Sequence, residues 1–336
     1  MVKADAYGIG LGRAVRALSG LGPWGFGVAT TDEGVELRSH GWAGPVLVFS
    51  PTLPADSREL LERRLEAVVP GCELLGAVGV AARAHGGTLP VHLEIDTGMG
   101  RFGLDSGSMD SRAKEVATLL SLGGLELRGT LTHFHSADRS SESTQEQWKR
   151  FASALDALRA AGVEPGRIHA ANSAAALRYE GFAADLVRPG IRLYGGGDWE
   201  PRGNPVVSVR ARVLDVKDVE AGATVSYGAT WKAPAATRLA TIGIGYADGL
   251  RRHLSNRGRV LIRGRSAPIR GVVCMDTTVV EIGEQRDVRP GDVATVLGRD
   301  GTAEVGIDEL ADLSETIDYE ILTGWSRRLP RIEVER

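Results

Sequence analysis

The chain has 336 residues, of which 43% are hydrophobic and 25% charged, with a formal net charge of -3 and two cysteines. Such a length exceeds what one core usually takes and predicts two domains, while scattered basic residues in a near-balanced chain exclude a nucleic-acid partner. Cys72 and Cys274 are too few for a disulfide framework and suit a reducing cytoplasm; no leader-like segment opens the chain and no apolar run reaches membrane-span length.

From the start to about Tyr194, short apolar runs alternate with helical stretches. Lys3-Ala4-Asp5-Ala6-Tyr7-Gly8-Ile9-Gly10 opens the series. A lysine at the C-terminal end of a barrel strand sits where such barrels keep their sites, and a lysine amine is the usual anchor for pyridoxal phosphate. The same segment also reads as an exposed lysine beside a glycine-rich turn. Val46 to Phe49 is a strand closed by Ser50-Pro51. Val91 to Ile95 is the next, with Val91, Leu93 and Ile95 on one face and His92, Glu94 and Asp96 on the other. Behind it, Asp96-Thr97-Gly98-Met99-Gly100-Arg101-Phe102-Gly103 lets backbone approach a ligand and offers an arginine for a carboxylate, or is a plain turn with a surface arginine.

Leu127 to Thr132 reads as a further strand. A helix follows over Ser143 to Ala161, with Ser143 and Glu146 as a capping box and Trp148, Phe151, Leu155 and Leu158 at helical spacing. His169-Ala170-Ala171-Asn172-Ser173 puts a polar cluster before a small-residue helix start, a pattern that can present N–H groups and a hydroxyl to a phosphate. Asp185 to Val187 is the last strand of the series and leads into Arg188-Pro189-Gly190-Ile191-Arg192-Leu193-Tyr194-Gly195. The alternation predicts a parallel sheet, either a (β/α)8 barrel or a doubly wound sheet. The second loses ground because no G-x-G-x-x-G opens a helix after the first strand.

After Gly195 the texture changes. Pro201 to Pro205 reads as a linker, and strands follow at Val206 to Val213, Leu239 to Ile244, Arg259 to Ile262, Thr277 to Ile282 and Val293 to Leu297. Three clusters stand among them: Ser226-Tyr227-Gly228-Ala229-Thr230-Trp231, Gly245-Tyr246-Ala247-Asp248-Gly249 and Cys274-Met275-Asp276. Each also reads as an ordinary strand end or hairpin, and Cys274 has no histidine nearby to make it a nucleophile. Ile307 to Leu322 looks like one amphipathic helix. The chain therefore divides into an α/β domain over residues 1–200 and a mostly β domain over residues 205–336.

In this order, the Lys3, Asp96, His169, Arg188, Ser226 and Cys274 segments, with Thr132-His133-Phe134, Ile317-Asp318-Tyr319-Glu320 and Arg328-Leu329-Pro330-Arg331, resemble the alanine racemase family from Lys3 onward. The resemblance implies an N-terminal (β/α)8 TIM-type barrel, a mostly β C-terminal domain, and a cytoplasmic homodimer whose sites are completed by the partner. It implies pyridoxal 5′-phosphate as cofactor, no metal, and a supply of D-alanine for peptidoglycan. Lys3 then holds the cofactor and acts as base on one face of the substrate Cα, with Tyr227 of the other subunit on the opposite face. Arg188 faces the pyridine nitrogen, and His169 lies between it and the tyrosine. Tyr7, Asn172, Ser173, the Gly190–Ile191 backbone and Tyr319 surround the phosphate. His133 lies against the ring, while Arg101, the Met275 backbone and Tyr246 meet the substrate.

The chemistry asks for such a set: racemisation needs two bases of opposite placement and an electron sink. An arginine at the ring nitrogen has no proton to give up, and a tyrosine of ordinary pKa about 10 must be lowered to serve as a base. Three departures from the family stand out. Only Met1 and Val2 precede Lys3, so the first strand is expected to be truncated. Ile9 replaces a common histidine. Glu94 replaces a lysine that many members convert to a carbamate, and is expected to give Arg101 its negative partner directly. Two other readings are a racemase of broader specificity, for serine or basic amino acids, and a non-catalytic cofactor-binding protein disabled by its short N-terminus.

Overall fold

Six short strands in the first half of the chain lie side by side in parallel: β1 (Phe26–Val28), β2 (Val46–Val48), β3 (Glu66–Val69), β4 (Leu89–Asp96), β6 (Leu125–Leu131) and β7 (Arg167–His169), with β5 (Leu104–Asp105) paired in parallel to the end of β4. β1, β2 and β3 are buried at every position, as expected of parallel strands covered on both faces. The computed structural model describes residues 1–334. It divides into one unit of Met1–Ala6 with Gly10–Gly190 and another of Tyr7–Ile9 with the chain from Ile191 onward.

The ladder of the first unit is completed by two segments too short or too interrupted to count as strands. Val2 N donates to Gly27 O beside β1 (2.8 Å), and the Met1 nitrogen donates to Pro189 O (2.8 Å). On the far edge Asp185 N donates to Ile168 O (3.0 Å) and Arg188 N to Ala171 O (2.8 Å). Met1–Val2 and Asp185–Pro189 thus occupy the first and eighth positions of a (β/α)8 barrel. The strand expected over Asp185 to Val187 does not form a ladder. The Asp185 carboxylate itself accepts from Ile168 N (2.7 Å), where a strand would offer its backbone, and Pro189 has no N–H to continue with. The longest crossover helix runs over Ser141–Ala160 and is capped by Ser140, whose side chain accepts from Ser143 N (3.2 Å). The capping box expected of Ser143 and Glu146 is absent, because Ser140 already holds the extended backbone a cap needs and Glu146 pairs instead with Arg150.

The second unit is antiparallel. Its main sheet runs in the order β13 (Arg265–Pro268), β12 (Arg259–Ile262), β15 (Val293–Asp300), β8 (Val209–Val219), β11 (Thr237–Ile242), β14 (Thr278–Glu281), with β16 (Ala303–Val305) paired to β15. β9 (Thr224–Val225) and β10 (Trp231–Lys232) form a separate two-stranded ribbon. β8 starts at Val209, not Val206, and alternates buried and exposed residues along its first half, so one face packs into a core with Ile242, Val260, Ile262, Val280 and Val296. The late helix is two: Ile307–Leu313 and Asp318–Thr323. Glu315 takes a left-handed φ of 57°, which ends the first helix despite continuing apolar periodicity.

Candidate active site

Lys3 stands at the head of a turn wound the wrong way. Ala4, Asp5, Ala6 and Tyr7 all have φ between 53° and 56°, the left-handed region that L-residues avoid. Side chains hold it there. Glu33 accepts from Ala4 N (2.7 Å) and Ala29 N (2.6 Å), while Asp5 Oδ1 accepts from Leu11 N (2.7 Å). Burial lowers the Lys3 ammonium from its ordinary range; Arg101 and Arg188 lower it further and Glu33 opposes them. The amine is thereby made easier to deprotonate and more nucleophilic.

Arg188 is the hub of the barrel interior. Its Nη1 donates to His169 Nδ1 (3.0 Å), and its Nη2 reaches Thr132 O (2.8 Å), Ala170 O (3.0 Å) and His133 Nδ1 (3.2 Å). Burial brings its pKa down to about 10, so it stays charged at neutral pH. Burial and the Arg188, Arg101 and Lys3 charges push His133 down to about 3, and burial with Arg188 pushes His169 well below the usual imidazole range. Both rings are neutral. His169 does not bridge from Arg188 toward a tyrosine, as expected; its Nε2 meets His92 Nδ1 (2.9 Å), whose Nε2 meets Glu66 Oε2 (2.8 Å). His133 is the histidine beside Arg188 that shares the surroundings of Lys3 and Arg101. Gln147 fixes it by donating to His133 O (3.0 Å) and Thr97 Oγ1 (3.2 Å).

Asn172 caps the short helix Ser173–Arg178: its Oδ1 accepts from Ala175 N (3.0 Å) and its Nδ2 donates to Phe134 O (3.3 Å). Both ends of its amide are thus engaged in placing the start of the helix that carries Ser173. Ser173 Oγ accepts from Gly190 N (2.8 Å). Glu94 is buried on β4 and burial raises its carboxyl to about 7, against the pull of Arg101 and Arg188. Among the described residues no ion pair within 4.0 Å joins it to the exposed Arg101, so the direct pairing expected from sequence is replaced by a longer-range attraction.

In the second unit Tyr7 stacks on Tyr194 (4.6 Å between centroids) and lies 6.1 Å from Tyr319. Burial and nearby Asp318 push Tyr7 up to about 12, so its hydroxyl remains a hydrogen-bond donor. Asp318 accepts from Gly197 N, next to the Ile191–Tyr194 turn where Ile191 is buried. The Ser226 and Cys274 segments are tied together, since Ser226 Oγ donates to Val272 O (2.6 Å) and meets Cys274 Sγ (3.3 Å). Tyr246 N donates to Cys274 O (3.0 Å) and Ala247 N to Met275 O (3.0 Å). A Cβ at Gly245 would lie 2.3 Å from both carbonyls, so only glycine lets these loops close. They present Tyr227, Met275 and Tyr246 at 74%, 51% and 44% exposure. Sequence reading missed Glu33, Glu66, His92, Gln147 and Asp318. Only Glu33 carried a readable signal, the Thr30-x-x-Glu33 spacing of the capping box it forms.

A family profile described as alanine racemase, N-terminal domain, matches residues 1–198, and one described as alanine racemase, C-terminal domain, matches residues 206–333. An alanine racemase of Carboxydothermus hydrogenoformans is 42% identical over 99% of this chain and 92% of its own length. The crystal structure of alanine racemase from Streptomyces lavendulae superposes with a TM-score of 0.94 at 34% identity, over 100% of this chain and 90% of that one. That from Bartonella henselae, with covalently bound pyridoxal phosphate, superposes at 0.89 and 27% identity, over 99% of this chain and 91% of that one.

Proposed function

This chain belongs to the alanine racemase family, and from that premise we propose how its residues divide the interconversion of L- and D-alanine. The barrel of residues 1–200 holds pyridoxal 5′-phosphate, and the β domain of residues 205–336 completes the site of a second subunit in a homodimer. The residues present fit that cofactor: a half-buried lysine amine with a lowered pKa, a guanidinium locked in place by four acceptors, and a serine hydroxyl against the Gly190 backbone. Lys3 would hold it covalently, with Tyr7, Ser173, Gly190, Ile191 and Tyr319 around its phosphate. When bound, the cofactor supplies the electron sink that makes the alanine Cα proton removable.

Lys3 Nζ and the Tyr227 hydroxyl of the partner subunit take and return that proton on opposite faces of Cα. Each positioned acid or base is typically worth about 10²–10⁴ in rate. Arg188 orients and lends positive charge but has no proton to give at neutral pH, so the electron sink that the cofactor would supply there would be a weaker one. Arg101 and the Met275 backbone hold the alanine carboxylate, with Tyr246 at the substrate side. D-alanine made here would serve peptidoglycan in the cytoplasm, a setting that agrees with two free cysteines.

The observation that carries this division is the buried Arg188, donating to two neutral histidines while its charge is felt at Lys3. Borohydride reduction of the loaded enzyme followed by peptide mapping should find the pyridoxyl group on Lys3, and circular dichroism should show L-alanine losing optical activity. An adduct on Lys217 or Lys232 would overturn the assignment of Lys3.

A further inference from the structure

Four buried side chains cross the barrel interior in single file: Glu66 on β3, His92 on β4, His169 on β7 and Arg188 from the eighth position. Their exposures are 6%, 0%, 1% and 9%, so water cannot repair a mismatched contact. The direction of every hydrogen bond is forced by one end. A guanidinium carries only donors, so His169 Nδ1, 3.0 Å from Arg188 Nη1, must be a lone pair. The neutral ring then bears its proton on Nε2, which meets His92 Nδ1 at 2.9 Å and makes that atom an acceptor too. His92 in turn has its proton on Nε2, 2.8 Å from Glu66 Oε2. Any other protonation of either ring sets donor against donor inside the barrel.

The sequence makes room for this path. β6 lies between β4 and β7, and opposite His92 in its register stands Gly129. A Cβ there would lie 2.3 Å from His92 Nδ1, so glycine opens the gap through which His92 reaches His169 past the intervening strand.

We propose that Glu66 and His92 are positioning residues for Arg188: Glu66 takes the proton at the far end of the chain and thereby keeps a lone pair facing the guanidinium three bonds away. Without the Glu66 acceptor, His92 gains by turning its proton toward His169. That moves the His169 proton to Nδ1, against Arg188, and the guanidinium swings. The proposal rests on the reading that Arg188 faces the cofactor only for its effect on turnover; the tautomers stand independently of it.

The test is ¹⁵N-histidine NMR on the protein with and without cofactor, joined to steady-state kinetics. Wild type should show His92 and His169 neutral with the proton on Nε2. In Glu66→Leu the His92 and His169 signals should change tautomer or exchange-broaden. Its kcat should fall on the order of 10- to 100-fold, the range typical of partners that orient a functional histidine, while the alanine KM stays within about twofold. Glu66→Gln keeps an acceptor oxygen and should restore the signals and most of the lost kcat, whereas Gly129→Ala should disturb the same signals with Glu66 intact. A wild-type spectrum with Nδ1–H or a doubly protonated ring at either histidine overturns the proposal even if Glu66→Leu does not fold. So does a folded Glu66→Leu with unchanged signals and kcat. A missing Lys3 adduct with the expected tautomers would instead count against the cofactor reading alone.

Discussion

Burial holds the Glu94 carboxyl near 7 although two arginines pull it down, so desolvation outweighs attraction at this residue. The folded state binds the Glu94 proton more tightly than the unfolded chain, whose ordinary value is about 4.5. A raised pKa contributes stability that is complete below the unfolded value and is lost as pH climbs through the folded one. Glu94→Gln should therefore match the cofactor-free parent at pH 4.5 and exceed it above pH 7, by up to about 3 kcal/mol. Urea titrations at the two pH values check this, and a gap that does not grow with pH counts against it. With no ion pair to Arg101, the same variant should raise the alanine KM by less than the 1.5–3 kcal/mol of a charge-assisted bond, roughly tenfold or under. Strand alternation put Glu94 on one face of its strand with His92 and Asp96. It could not show what crosses the barrel to meet that face: His92 shares the face, yet its partners Glu66 and His169 lie 26 and 77 positions away.

At the level of elements, the left-handed turn after Lys3 is the costly piece. Each L-residue wound this way costs roughly 1–2 kcal/mol, and four do so in succession. Glu33 offsets part of that cost by closing on Ala4 N and Ala29 N. Removing it in Glu33→Ala leaves those groups to water and should lower stability by about 1–3 kcal/mol, with weaker retention of cofactor absorbance on dilution. Glu33→Gln should recover part of both. Ala4 is exposed, so Ala4→Gly relieves its strain at little packing cost and should not show the 0.5–1 kcal/mol loss that glycine usually brings. Unchanged melting of Glu33→Ala, or a destabilised Ala4→Gly, would show that the turn is not strained in this way. No periodicity announces such a turn, because a left-handed run leaves no apolar spacing. The break at Glu315 was hidden for the same reason, beneath an amphipathic pattern running on from Ile307 to Leu322.

For the whole molecule, the family resemblance chose a barrel over a doubly wound sheet, while an α/β domain followed by a β domain was legible from strand–helix alternation and then closely spaced strands. Closure of the barrel was not, since Met1–Val2 and Asp185–Pro189 complete it through single hydrogen bonds and are too short to carry a period. The placement of the two proposed bases has a further consequence at this scale. Lys3 belongs to one unit and Tyr227 to the other, and Tyr227 is 74% exposed with no hydrogen-bond partner among the described residues. If each site takes Lys3 from one chain and Tyr227 from its partner, Lys3→Ala and Tyr227→Phe proteins are each inactive alone. A hybrid dimer, however, concentrates both lesions in one site and leaves the other intact. Random exchange of equal amounts makes half the dimers hybrid, so the mixture should recover about one quarter of wild-type turnover. Mass spectrometry of differently tagged chains would establish that exchange took place. Recovery near a quarter supports a shared site, whereas demonstrated hybrids with no turnover would place both bases within one chain.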